Sequence, residues 1–91
     1  MSDIKTSVKL ADRITGNYLD SEINRLETWA RAEIERAGVP NFIAQSEDDL
    51  INDCVIQGVL SKIARDDKMR EGAERAFIYQ LDCLRKHDWG L

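Results

Sequence analysis

Proline is nearly missing from this chain, with one in 91 residues, and glycine is sparse at five. So few breakers permit long helices. Histidine occurs once, as His87, and cysteine twice, as Cys54 and Cys83. A zinc site takes about four ligands, and neither thiol has a second ligand at metal-binding spacing. The pair therefore reads as small apolar side chains buried in a core, which suits a reducing compartment. No apolar run reaches the roughly 18 residues that cross a bilayer. The segment Met1-Ser2-Asp3-Ile4-Lys5 carries no signal-peptide apolar stretch. These absences predict no membrane partner and a protein made and used in a cytosol, or in something assembled there. Strand-like alternation, internal repeats and low-complexity segments are missing too.

A strong charge of one sign is also lacking. Acidic residues number 17 and basic residues 13, giving a net charge of -4. The two signs are mixed along the chain, as on a solvated helical surface. Duplex-DNA binders normally present a basic face, so specific nucleic-acid binding is not expected. Hydrophobic residues make up 43% and charged residues 33%, a globular mixture. A chain this long buries about two-thirds of its unfolded surface, enough for one core. We expect one domain over residues 1–91.

What is present has helical period. The first helix is predicted over about 3–14, with Ile4, Val8, Ala11 and Ile14 on one face, before the breakers Thr15-Gly16-Asn17. The second is predicted over about 21–37. Asp20 or Ser21 caps it, and Ile23, Leu26, Ala30, Ile34 and Ala37 form its stripe. Gly38, Val39 and Pro40 then end it. Residues 41–45 read as a loop whose Phe42 and Ile43 tuck into the core. Ser46 reads as the cap of a third helix that opens on Glu47, Asp48 and Asp49 and runs to about Ala64. Its apolar residues, Leu50, Ile51, Cys54, Val55, Ile56, Val59, Leu60 and Ile63, go most of the way round the axis. Such a helix is central and buried by its neighbours, or meets another subunit. Gly58 in its middle costs about 1 kcal/mol against Ala, which points to close approach of another helix there. Residues 65–68 read as a polar connection. A fourth helix follows, from near Met69 to Glu71 as far as His87, with Ala73, Phe77, Leu81 and Leu84 inward. The fold class is therefore all-α, a single small domain of about four helices with the third at its centre.

The chain offers no catalytic constellation. There is no glycine-rich phosphate loop. The cluster Glu47-Asp48-Asp49 lacks the ligand alternation of a calcium loop and reads as helix-start stabilisation. Asp66-Asp67 reads as a solvated turn. His87 has no nucleophile partner in the sequence and sits where it can interact with a helix C-terminus. Cys54 lies on an apolar face without the positive surroundings that activate a thiol. A helix-turn-helix would need a tighter turn than the one after Gly38, and a second helix without three opening acids. No enzyme activity, cofactor, metal or small-molecule substrate is expected.

The aromatics carry more information. Trp29 falls roughly 100° from the middle of its helix's stripe. Tyr79 is similarly displaced on the fourth helix, and Trp89 lies in the tail 88–91. Tryptophan and tyrosine at such borders are enriched in protein interfaces. Trp29, Tyr79 and Trp89 are the candidate interface residues, set against the alternative that each merely edges the core.

The order of these segments resembles a known family. Val8-Lys9-Leu10-Ala11-Asp12-Arg13-Ile14-Thr15, then Tyr18-Leu19-Asp20-Ser21-Glu22-Ile23, is similar to the start of phage head–tail connector proteins. Leu26 through Ala30, Ala32, Ile34 and Ala37-Gly38-Val39 resemble the family's second helix and its ending. Asp49-Leu50-Ile51 resembles the start of the third, and Phe77 with Leu81-Asp82-Cys83-Leu84-Arg85 the last. The likeness covers about residues 4–86. Asp49 stands where the family often has proline, and Val59, Leu60 and Ile63 stand where it tends to have aromatics. The resemblance implies a structural virion protein at the head–tail junction, assembled in the bacterial host cytoplasm. It would form a ring with copies of itself under the portal protein, extend the DNA channel, and give head–tail completion and tail proteins their platform. DNA would pass through without specific binding, since an acidic lining holds no phosphate. The alternative is a small non-enzymatic helical adaptor or regulatory protein of bacterial or prophage origin.

Overall fold

The computed structural model describes residues 4–11 and 19–87. Ile14, the breakers 15–17 and Trp89 lie outside the described residues.

Two lysines on one helix face begin the assembly. Helix α1, Ile4–Ala11, buries Ile4 and Val8. From its other side Lys9 Nζ reaches Asp20 Oδ1 at 2.6 Å, with Lys5 Nζ 3.8 Å from the second oxygen. Asp20 opens helix α2, Asp20–Arg36, whose N-cap is Leu19 without a side-chain cap bond. The expected cap residue Asp20 therefore ties two helices together instead. The C-terminal stop forms as expected. Gly38 adopts φ 117°, its N–H donates to Glu35 O at 3.0 Å, and Val39 N–H donates to Ile34 O at 3.4 Å. Val39 is buried behind this Schellman turn, and Pro40 blocks continuation.

Residues 41–45 are not a plain loop. Asn41–Ala44 form a one-turn helix, α3, that buries Ala44 and leaves Phe42 67% exposed. Pro40 accounts for the turn, since its carbonyl accepts from both Ile43 and Ala44 N–H. In that single turn Ala44 takes the inward position and Phe42 is carried outward. Five helices rather than four therefore stand among the described residues.

Helix α4, Asp49–Ile63, is capped by Asp48 rather than Ser46: the Asp48 carboxylate accepts from Leu50 N–H at 2.9 Å. Ser46 Oγ accepts from Asp48 N–H one step earlier. Ile51, Cys54, Val55, Val59 and Leu60 are buried, Ile56 and Ile63 partly so, and Leu50 is 50% exposed. Helix α5, Asp67–Lys86, begins before its expected start. Asp66 is its N-cap, accepting from Lys68 N–H at 3.4 Å, so the two acids read as a turn are cap and first turn. Arg70 then donates to Ala64 O at 3.0 Å and closes the connection.

α4 packs on α5 most extensively, then on α2 and α1. The chain is all-helical, with no strand among the described residues, and forms one globule of radius of gyration 12.7 Å. That matches the roughly 12 Å expected of a compact chain this long. No described helix is long and apolar enough to cross a membrane.

Candidate functional site

Helix α5 is amphipathic over its whole length, and its inner and outer faces meet different surroundings. Phe77, on the inner face, lies against Gly58 of α4: a Cβ at position 58 would stand 2.8 Å from the ring. The close approach expected at Gly58 is therefore made by Phe77. Trp29 joins from α2, its ring centre 5.5 Å from that of Phe77, and Lys62 Nζ sits 5.1 Å from the Trp29 ring centre. Trp29 is thus half-buried in the contact between α2, α4 and α5.

One residue further along, α5 turns its outer face to solvent, while Leu81 and Leu84 beyond it pack inward again. Ile78 is 59% exposed and Tyr79 is 70% exposed. Tyr79 stands on the outer face, and its phenol is held above its ordinary pKa first by a hydrogen bond with the Cys83 side chain one turn on. Asp82 is held below the usual carboxylate range by hydrogen bonds from Lys86 and then Arg85. Cys83 is exposed, against the expectation that both cysteines are core residues. It falls on the flank of α5 that faces an open cleft beside the start of α4. Cys54 is buried, and burial pushes its thiol up to about 12.

Two depressions flank this end of α5. On the α4 side a cleft of about 170 Å³ is lined by Leu50, Asp53, Gln80, Cys83, Leu84 and His87. On the α2 side a groove of about 380 Å³ lies between Arg36 and Ala37 and the residues Ile78, Leu81, Asp82 and Arg85. The cleft gathers a thiol, an imidazole and a carboxylate. Acyl-transfer chemistry would also need backbone N–H groups aimed at a developing oxyanion. Those around Cys83 belong to the interior of α5, where the helix ladder uses them. Among the described residues no group of three or more His, Cys, Asp or Glu is placed to hold a metal ion.

Of the three candidate interface residues, the structure exposes Tyr79, half-buries Trp29 away from it, and Trp89 is outside the described residues. Ile78 was missed, although its place one step from the inward Phe77 signals it. Arg31 was missed as well. It is 5% exposed and donates to Ala44 O at 2.9 Å, Ser46 O at 2.8 Å and Asn52 Oδ1 at 3.3 Å, with Glu27 paired at 3.2 Å. This guanidinium pins α2 to α3 and the start of α4. Its sequence signal was an arginine beside the Ala30 stripe with Glu27 one turn back.

No family model, curated protein or solved structure matches this chain.

Proposed function

We propose that this chain is a structural subunit of a head-to-tail ring of the phage head–tail connector kind. The observation that carries the reading is Ile78 beside Tyr79 on the outer side of α5, while Leu10, Phe42 and Leu50 are exposed on three other helices. Single exposed apolar residues are ordinary, but adjacent ones spread over two sides of a small domain suit contacts between unlike patches. In this reading α1, α2, α4 and α5 are the four principal helices, α4 is the buried axis, and α3 is a connection. Ile78 and Tyr79 form one patch, and the exposed edge of Trp29 contributes to another.

The ring sits under the portal at the head–tail junction of a virion built in the bacterial host cytoplasm. It lengthens the DNA channel and offers tail and head-completion proteins a seat. DNA passes without being recognised, and the protein performs no reaction and carries no cofactor. A standard specific interface buries about 800 Å² per partner, within reach of one face of a molecule 41 by 28 by 17 Å.

The test mixes the purified protein with portal-bearing heads and looks for rings in electron micrographs. Rings that vanish with the double change Ile78→Ser and Tyr79→Ser, while the variant stays helical, support the reading. If neither free nor portal-bound protein forms a ring, the connector reading falls and the non-enzymatic adaptor takes its place.

A further inference from the structure

The cleft between the first turn of α4 and the last turns of α5 combines an apolar floor with hydrogen-bond acceptors that no donor meets. Leu84 and the half-exposed Leu50 supply the floor. Gln80 lines the α5 wall, and its Oε1 is buried without a hydrogen-bond partner among the described residues. A buried acceptor without a donor is costly, and native structures rarely leave one so. Asp53 lines the α4 wall. It is exposed, and among the described residues it too has neither an ion pair nor a hydrogen bond. Cys83 and His87 complete the lining, which holds no lysine or arginine. The Asp53 carboxylate therefore makes the cleft attractive to a cation, and Asp49, exposed beside Leu50, adds to that field.

We propose that this cleft binds a small organic cation, a guanidinium or amidinium carried on an apolar body the size of one ring. The volume sets the size. A cavity of about 150 Å³ holds one benzene-sized ring, and this cleft has about 170 Å³. The acceptors set the head group. A carboxylate and a carboxamide oxygen both accept, so the ligand must donate to each. A planar cationic fork presents several N–H groups at once, and it is more weakly hydrated than an ammonium. It therefore loses less water on moving against Leu50 and Leu84. The Gln80 terminal torsion is soft, so a small turn brings its oxygen to the incoming N–H. Neither Ile78 nor Tyr79 lines the cleft, so the inference stands or falls separately from the ring.

The experiment titrates benzamidine into the ¹⁵N-labelled full chain at pH 8 under reducing conditions, with benzamide as the uncharged isostere. Benzamidine should shift the amide signals of Leu50, Asp53 and Leu84 and the Gln80 side-chain amide, with a Kd of about 1 mM or tighter. Asp53→Asn should weaken it about tenfold, the loss of a hydrogen bond to a charged group. Gln80→Leu should weaken it about fivefold, the effect of one net hydrogen bond. Glu71→Gln, an exposed acid at the other end of α5, should change nothing. Silence at about 10 mM benzamidine overturns the proposal, and so does benzamide binding as tightly as benzamidine. An affinity that either cleft variant leaves unchanged overturns it too. Glu71→Gln weakening the binding as much as Asp53→Asn would do the same, because the cation is then held by the acidic surface at large. Acetylarginine amide binding where benzamidine does not also overturns it, since the occupant is then another protein's side chain.

Discussion

Phe77 and Ile78 are neighbours on one helix, yet they belong to two different regions. Around Phe77 the molecule is sealed: Gly58 gives way to its ring, Trp29 lies against it and Lys62 caps the Trp29 face. Around Ile78 and Tyr79 it is open, with apolar side chains in solvent and a depression on either side of the helix. A rotation of about 100° per residue separates them. The local sequence is equally apolar at both, and the difference lies in what crosses α5 there. In the first region a substitution should be felt strongly by stability, and in the second hardly at all.

That contrast can be broken from the sealed side first. Val55→Asp puts a carboxylate at a fully buried position of α4. An unpaired charge there costs several kcal/mol, a large part of a small domain's stability. The variant should show no cooperative thermal transition, and a soluble protein melting like the parent would show that Val55 is not core. Next comes Arg31→Met, which keeps the apolar stem but strips the donors from Ala44 O and Ser46 O. Leaving buried carbonyls unpaired should cost about 3 kcal/mol in denaturant unfolding. A loss below about 0.5 kcal/mol would mean that water replaces the guanidinium.

Gly58→Ala sharpens the comparison further. Alanine is better than glycine in a helix by about 1 kcal/mol, while overpacking a core costs about 1–3 kcal/mol. With Phe77 atoms at 2.8 to 3.1 Å from the new methyl, we expect a net loss of about 1 kcal/mol. A more stable variant would show that the ring yields. The two cysteines divide along the same line. A thiol reagent at pH 8 should modify Cys83 at once and Cys54 only on unfolding. The Cys54 thiol is raised from 9.0 to about 12, so its neutral form is favoured by the fold. Its contribution is complete below pH 9 and is lost as the pH rises from 9 toward 12. Cys54→Ala should flatten that part of the pH–stability curve, and an unchanged slope would refute the assignment. The smallest effect on stability belongs to Ile78→Ser and Tyr79→Ser, within about 0.5 kcal/mol each. A larger loss in a chemical melt would place these side chains in the core.

Much of the architecture was legible in the chain. The end of α2 was readable to the residue, because Gly38, Val39 and Pro40 each impose a backbone constraint that needs no tertiary partner. The stripes of α2 and α5 were readable because period and burial coincide there. Caps were less so. Ser46 and Asp48 are both good N-caps two residues apart, and the propensities alone do not choose between them. Asp66-Asp67 suits a turn and a helix start equally. The candidate site was legible only at Tyr79. Periodicity shows that a residue is off the stripe but not whether another helix covers that flank. Trp29 and Tyr79 gave the same signal and came out differently for that reason.

The sequence by itself therefore determined helical period, the inward faces of α2 and α5 and the stop at Gly38, all set by interactions within about one turn of chain. Tertiary structure alone decided that Arg31 is buried and bonded across three elements, that Asp20 pairs with Lys9 instead of capping α2, and that Cys83 is exposed while Cys54 is sealed. Those outcomes depend on which groups distant segments bring within hydrogen-bond or van der Waals reach. No local pattern encodes that distance.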